Sequence, residues 1–164
     1  MEKKISHMKA ESDINENKVN LILDLRKNGI DSPEILRVIE EIDRSYFVDS
    51  HLYDKSNLNT ALPIDCGQTI SQPLIVALMT QHLEVKNNMR VLEVGTGSGY
   101  QTLVLSKIAK FVYTVERYKT LHQKAKELLK IIKANNIFFR HGDGGHGWVE
   151  QAPFDRIIVT ACAF

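Results

Sequence analysis

The feature that most constrains this chain is Val91-Leu92-Glu93-Val94-Gly95-Thr96-Gly97-Ser98-Gly99-Tyr100, a buried-strand pattern running straight into a glycine-rich turn and then a helix. Glycines let the backbone turn sharply and let a ligand approach it, and the helix that follows offers unpaired N–H groups. A strand-to-helix turn that merely needs small residues accounts for one glycine or two. Three alternating glycines point to a ligand seat. A dinucleotide fingerprint G-x-G-x-x-G starting at Gly95 would need its third glycine at position 100, which is Tyr100, so an NAD-type pyrophosphate is a poor candidate.

Around that turn the chain alternates short apolar runs with longer amphipathic segments. The runs are Val91 to Val94, Val112 to Val115, Ile137 to Phe139 and Ile157 to Val159; helices are predicted from about Gly99 to Ile108 and from Lys119 to Lys133, the second with Leu121, Ala125, Leu128, Leu129 and Ile132 in period. Strand, helix, strand, helix, strand implies a parallel sheet with right-handed crossovers. The expected architecture is α/β, a Rossmann-like doubly wound parallel sheet preceded by N-terminal helices.

Upstream, residues 1–17 are polar and read as an arm, 18–88 as a helical and loop region, and 89–164 as the ligand-binding core, the whole forming one domain. A helix is expected from Lys18 to Lys27 with Val19, Ile22, Leu23 and Leu25 on its apolar side and Gly29 as its C-terminal cap. In a second, Ser32 is the N-cap, Pro33 the first helical residue, and Ile35, Val38, Ile39 and Ile42 one face. No period holds from Arg44 to Gln68, but the scattered aromatics predict an ordered, packed loop. A third helix is expected from Ser71, its candidate N-cap, to Leu83, burying Leu74, Ile75, Leu78 and Met79.

Composition narrows the partners. Lys and Arg number 21 against 20 Asp and Glu, a net charge of +1, which supplies no broad field for nucleic acid or an anionic membrane. No stretch approaches the roughly 18 apolar residues of a membrane span. Two distant cysteines, Cys66 and Cys162, form neither a disulfide framework nor a metal-binding spacing, and the expected setting is cytoplasmic. His141 and His146 lack further ligands at zinc-like spacing, so no metal is expected.

Two acidic residues complete the candidate site. Glu116 ends the second strand about 20 residues beyond the glycines, where a carboxylate accepts hydrogen bonds from ribose hydroxyls; a merely solvated strand-end acid is the plain alternative. Asp143, within His141-Gly142-Asp143-Gly144, follows the third strand, with Gly144 supplying backbone; capping a turn is its plain alternative.

The G-x-G-x-G turn with Glu93 two residues ahead of it resembles motif I of class I S-adenosylmethionine methyltransferases. Together with Gly67-Gln68-Thr69-Ile70-Ser71-Gln72-Pro73, Arg44-Ser45-Tyr46-Phe47-Val48, His141-Gly142-Asp143-Gly144 and Ala152-Pro153-Phe154-Asp155-Arg156-Ile157-Ile158-Val159-Thr160, it is similar to the protein-L-isoaspartate O-methyltransferase family. The resemblance runs from about Val19 to Thr160. It implies S-adenosylmethionine as cofactor, bound by Thr69, Ile70, Glu93, Gly95, Thr96, Gly97, Ser98, Gly99, Glu116, Asp143 (to the adenine amino group) and Gly144. It also implies Ser71 at the reacting centre, orienting the substrate carboxylate, and isoaspartyl residues of damaged proteins as substrate.

The same resemblance implies a further helix and strands beyond Thr160, where this sequence has only Ala161-Cys162-Ala163-Phe164. The expectations that follow are an incomplete sheet, weak or no methyl transfer, and self-association through an open edge at Ile157, Ile158 and Val159. The competing readings are another class I methyltransferase, against which the Thr69–Pro73 motif speaks, and a non-catalytic domain that keeps only cofactor binding.

Overall fold

The computed structural model describes residues 16–161. The expected arm lies outside the described residues except at its end, where 16 and 17 already belong to the first helix, α1, over 16–27. Gly29, at φ +90°, closes α1: the Ile30 N–H reaches the Leu25 carbonyl and the Gly29 N–H the Arg26 carbonyl, both at 3.1 Å. The buried face of α1 is Leu21 and Leu25, whereas Val19 and Leu23, expected inside, are exposed.

Helix α2 (Pro33–Glu41) follows the sequence grammar closely, with the Ser32 hydroxyl accepting from the Ile35 N–H and with Ile35, Val38, Ile39 and Ile42 buried. The irregular stretch after it is ordered as expected. It winds through 3-10 turns at Arg44–Phe47, Ser50–Lys55 and Asp65–Gly67 and forms a two-stranded antiparallel hairpin, β1 (Leu62–Pro63) with β2 (Thr69–Ile70). Leu62 opposes Ile70 in the hairpin, and both are buried.

Helix α3 (Pro73–Leu83) departs from expectation twice. Its N-cap is Gln72, without a side-chain cap, rather than Ser71; and its buried residues are Pro73, Val76, Ala77 and Thr80, with Ile75 exposed and Leu74, Leu78 and Met79 only half-buried. The first follows from Pro73. Its ring suits the first helical position and forces Gln72 into extended backbone (ψ 135°), so Ser71 lies one residue too early to cap.

Four parallel strands form the sheet, β3 (Arg90–Val94), β4 (Phe111–Glu116), β5 (Ile137–His141) and β6 (Arg156–Val159), in the order β5-β4-β3-β6, with Val91 opposite Val112 and Arg156 in register. Helices α4 (Tyr100–Ile108) and α5 (Lys119–Ile131) make the crossovers. Leu105, Ala109, Val91, Val112 and Ile158 form a core layer joined by Met79 and Leu83, so α3 and α4 cover the same face. On the other face Leu92, Tyr113 and Val115 lie beneath Trp148 and Phe154, a cover of aromatic side chains rather than a helix among the described residues. The main core runs from Leu21 through Phe47 and Ile70 to Leu129, joining the N-terminal helices to α4 and α5. Among the described residues no helix is long and apolar enough to cross a membrane.

Candidate active site at the carboxyl ends of the strands

Strand β3 is central in the sheet and therefore buried on both faces, and it delivers the glycine turn to the sheet's carboxyl edge. Gly95 needs to be glycine. Its φ is +101°, and a Cβ there would lie 2.8 Å from the Ala161 Cβ and 2.9 Å from the Thr160 hydroxyl. The Gly95 N–H donates to the Val115 carbonyl at 2.8 Å, and Thr160 donates from its N–H to the Val94 carbonyl at 2.9 Å. The turn is thus tied to the strands on both sides of β3.

The Gly97 N–H donates to Glu116 Oε2 at 2.8 Å, and the Tyr118 N–H donates to the other oxygen at 2.9 Å. Glu116 is buried, so it is not the solvated acid of the plain alternative; each carboxylate oxygen still has a second lone-pair direction for a hydroxyl donor. The Gly142 N–H donates to the Glu116 carbonyl at 3.0 Å, which starts the loop after β5 beside that carboxylate. Asp143 is exposed and accepts from the Gly145 N–H at 2.8 Å, so it does cap a turn. Gly144 lies so close to the end of β3 that a Cβ would come within 2.3 Å of Val94 Cγ1. Three strand ends therefore bring Gly95–Gly99, Glu116 and Asp143–Gly144 to one edge.

Glu93 and Thr96 occupy a different place from the others. Glu93 is fully buried behind the turn, where Thr102 and Thr114 donate their hydroxyls to Oε2 at 2.5 and 2.6 Å. Thr114 has one hydroxyl proton and gives it to Glu93, so Thr96, 2.6 Å away, donates to Thr114. Glu93 Oε1 has no partner. Burial pushes the carboxyl up to about 7, against the lowering effect of the two threonine hydroxyls and with a small push from the Glu116 charge. As placed, Glu93 and Thr96 brace the turn from beneath.

The β1–β2 hairpin brings the second group of candidates to the same turn. Ile64, next to the hairpin, has its Cδ1 3.9 Å from where a Gly97 Cβ would stand. A cleft of about 130 Å3 opens there, lined among others by Phe47, Ile64, Asp65, Gly97, Ser98 and Lys124, with Lys124 bridging to Asp65 across it. Thr69 is exposed, Ile70 buried, and Ser71 half-buried with its carbonyl accepting from Arg44 at 3.1 Å. Sequence reasoning missed the roles of Arg44, Thr114 and Thr160. A lone cation or threonine in an aperiodic stretch or a strand carries no signal of which distant carbonyl it will meet.

The family model for protein-L-isoaspartate(D-aspartate) O-methyltransferase matches residues 15–164. A protein-L-isoaspartate O-methyltransferase of Caulobacter vibrioides is 53% identical over 139 residues, 85% of this chain and 63% of that protein. One of Rhodospirillum rubrum is 50% identical over 147 residues, 89% of this chain and 67% of that protein. Among solved structures, a protein-L-isoaspartate O-methyltransferase superposes with a TM-score of 0.79 at 31% identity, covering 87% of this chain and 47% of the other. A Plasmodium falciparum structure described as a protein-L-isoaspartate O-methyltransferase in complex with S-adenosyl-L-homocysteine superposes at 0.74 and 27% identity, covering 88% of this chain and 73% of the other. The chain thus spans roughly two thirds of the length of the curated relatives it matches, 63% in the first case.

Proposed function

The chain belongs to the protein-L-isoaspartate(D-aspartate) O-methyltransferase family, and from that premise we propose that it acts in methyl transfer from S-adenosylmethionine to the free α-carboxylate of isoaspartyl residues in damaged proteins. The observation that carries this reading is the meeting of the Gly95–Gly99 turn with both Glu116 and the hairpin that bears Thr69, Ile70 and Ser71. A cofactor with a ribose and no pyrophosphate fits that donor set. The glycines put bare backbone at the turn with Ser98 facing the cleft, and Glu116 is anchored with acceptor capacity to spare.

Bound there, S-adenosylmethionine would supply an electrophilic methyl group on a sulfonium. Gly95, Gly97, Ser98 and Gly99 would lie against it with Thr69 and Ile70 on the facing wall, Glu116 would accept from the ribose, and Asp143 with Gly144 would meet the adenine. Glu93 and Thr96 would act by bracing the turn. The substrate needs little activation, because an α-carboxyl with a pKa of about 3.3–3.7 is already an anion at neutral pH. Ser71 would orient it by donating a hydrogen bond, so no general base is required. Alignment alone is worth roughly 7–11 kcal/mol of barrier in a well-oriented pair.

Calorimetric titration of the 164-residue chain with S-adenosylhomocysteine, followed by an assay of methyl transfer to an isoaspartyl peptide and to its aspartyl twin, tests the reading. Binding is expected, with transfer, weak in this chain, confined to the isoaspartyl peptide; equal transfer to both peptides, or no binding, overturns it. Cys66 is exposed and, among the described residues, in no disulfide; a cytoplasmic setting stays part of the proposal. The outer edge of β6 is unpaired among the described residues and carries exposed Ile157 and Val159, a surface through which we expect this polypeptide to self-associate. A concentration-independent monomer in sedimentation would refute that.

A further inference from the structure

Arg44 is only 2% exposed, and none of the ion pairs among the described residues involves it. A buried cation is costly unless other dipoles replace its water. Here three backbone carbonyls do so for the two terminal nitrogens, while Nε has no partner among the described residues. Nη1 donates to the Ser56 carbonyl at 2.7 Å, and Nη2 donates to the Thr60 carbonyl at 2.9 Å and the Ser71 carbonyl at 3.1 Å. The guanidinium also lies 5.7 Å from the ring centroid of Tyr100, the first residue of α4, directly after the glycine turn. Phe47 meets the same ring edge-on at 5.5 Å. One side chain therefore touches the two ends of the loop before β1, the backbone just after β2, and the residue that ends the cofactor turn.

Resting on the reading above, we propose that Arg44 is the positioning residue that sets the Ser71 segment against the glycine turn, through its hydrogen bond to the Ser71 carbonyl and its contact with Tyr100. The strand-end part of the cofactor seat makes no hydrogen bond to Arg44. Gly97 is held by Glu116, and Gly95 by Val115, from within the sheet. Loss of the Arg44 fork should consequently free the 69–73 backbone and leave the strand-end seat in place. Lysine keeps the charge but puts all its donors on one nitrogen, so it cannot reproduce the spread of two guanidinium nitrogens over three carbonyls.

The test compares the wild-type chain with Arg44→Lys and Arg44→Met, reading S-adenosylhomocysteine affinity by calorimetry, kcat/KM on an isoaspartyl peptide, and amide exchange by mass spectrometry. Arg44→Lys is expected to lose only a few-fold in cofactor affinity, through Thr69 and Ile70, but about 100-fold in kcat/KM, as a displacement near 1 Å can cause, and to exchange faster at 69–73 but not in β3 and β4. Partial recovery of transfer in Arg44→Lys relative to Arg44→Met is also expected. Unchanged kcat/KM, or a fall in cofactor affinity that accounts for the whole loss, overturns the proposal. If Arg44→Met fails to fold, Arg44→Lys decides by itself. If the wild-type chain transfers no methyl group, the reading of the reaction fails separately, and exchange at 69–73 still decides: faster in Arg44→Lys supports the positioning role, and unchanged exchange overturns it.

Discussion

The strand–turn–helix–strand unit of residues 90–116 and the irregular stretch of residues 44–72 meet at the same site and are built in opposite ways. In the first, β3 is paired along its length with β4 and β6, and the turn is held by the Gly95 and Gly97 N–H groups. The second has only two strands of two residues each, and its carbonyls at Ser56, Thr60 and Ser71 depend on a side chain 12, 16 and 27 residues away. A seat made of backbone tolerates most side-chain changes and no added Cβ. A wall made by one buried cation tolerates the reverse. The cofactor side should therefore fail through glycine substitutions, and the substrate side through loss of a long-range donor.

The sharpest way to break that comparison is Gly95→Ala. The new Cβ would stand under 3 Å from Ala161 and Thr160 in a backbone conformation alanine rarely adopts. S-adenosylhomocysteine affinity should fall by about 100-fold, close to 3 kcal/mol, in calorimetry, and wild-type affinity would show that backbone approach is not what makes the seat.

The pH dependence of stability probes the brace beneath the turn. Glu93 titrates near 7 in the fold against an ordinary 4.5, because burial disfavours its charged form. A carboxyl raised in this way favours the native state below the unfolded value and withdraws that stability as pH rises through the folded one. Its contribution should be complete below about pH 4.5 and disappear by about pH 7, a loss of about 3 kcal/mol. Urea unfolding of the wild type and of Glu93→Gln across that window measures it: the difference between the two curves should slope, and parallel curves would mean that Glu93 stays charged in the fold.

A smaller effect is expected at Glu116→Gln. The amide oxygen can accept from only one of the Gly97 and Tyr118 N–H groups, its NH2 is set against the other, and the charge that strengthens a ribose hydrogen bond is lost, so affinity for S-adenosylhomocysteine should drop roughly tenfold, about 1.4 kcal/mol, with a lower melting temperature. The smallest is expected at the cleft. The Lys124–Asp65 pair is largely exposed, and Lys124→Met should shift stability by less than about 1 kcal/mol, and less again in high salt. A larger shift would mean that the cleft wall, like the 44–72 stretch, depends on a single cation.

Legibility followed the same division. The four strands, α4 and α5 could be read because period and spacing are local, and a buried parallel strand followed by a glycine turn has few alternatives. Helix α2 was legible from Ser32-Pro33, and the same rule at Gln72-Pro73 identifies Gln72, not Ser71, as the residue before the first helical position. The face of α3 was not legible. That helix is apolar nearly all round and packs between α2 and β6, so no stripe marks which residues go inside. Among the site residues, Glu116 and the glycines stand where spacing put them, whereas Glu93 and Thr96 turned inward because Thr114, on the neighbouring strand, offers them a buried partner.

The sequence by itself determined the order of elements, the glycine turn, and the family to which the chain belongs, since each rests on residues within a few positions of one another. Only the tertiary structure decided that Glu93 lies beneath the turn, that the loop after β5 is tied to the Glu116 carbonyl through the Gly142 N–H, and that Arg44 holds the carbonyl of Ser71. These are contacts between segments far apart in the chain. The donor that satisfies a buried polar group is chosen by which side chains the packed core brings within about 3 Å of it, and that distance is set by the fold as a whole.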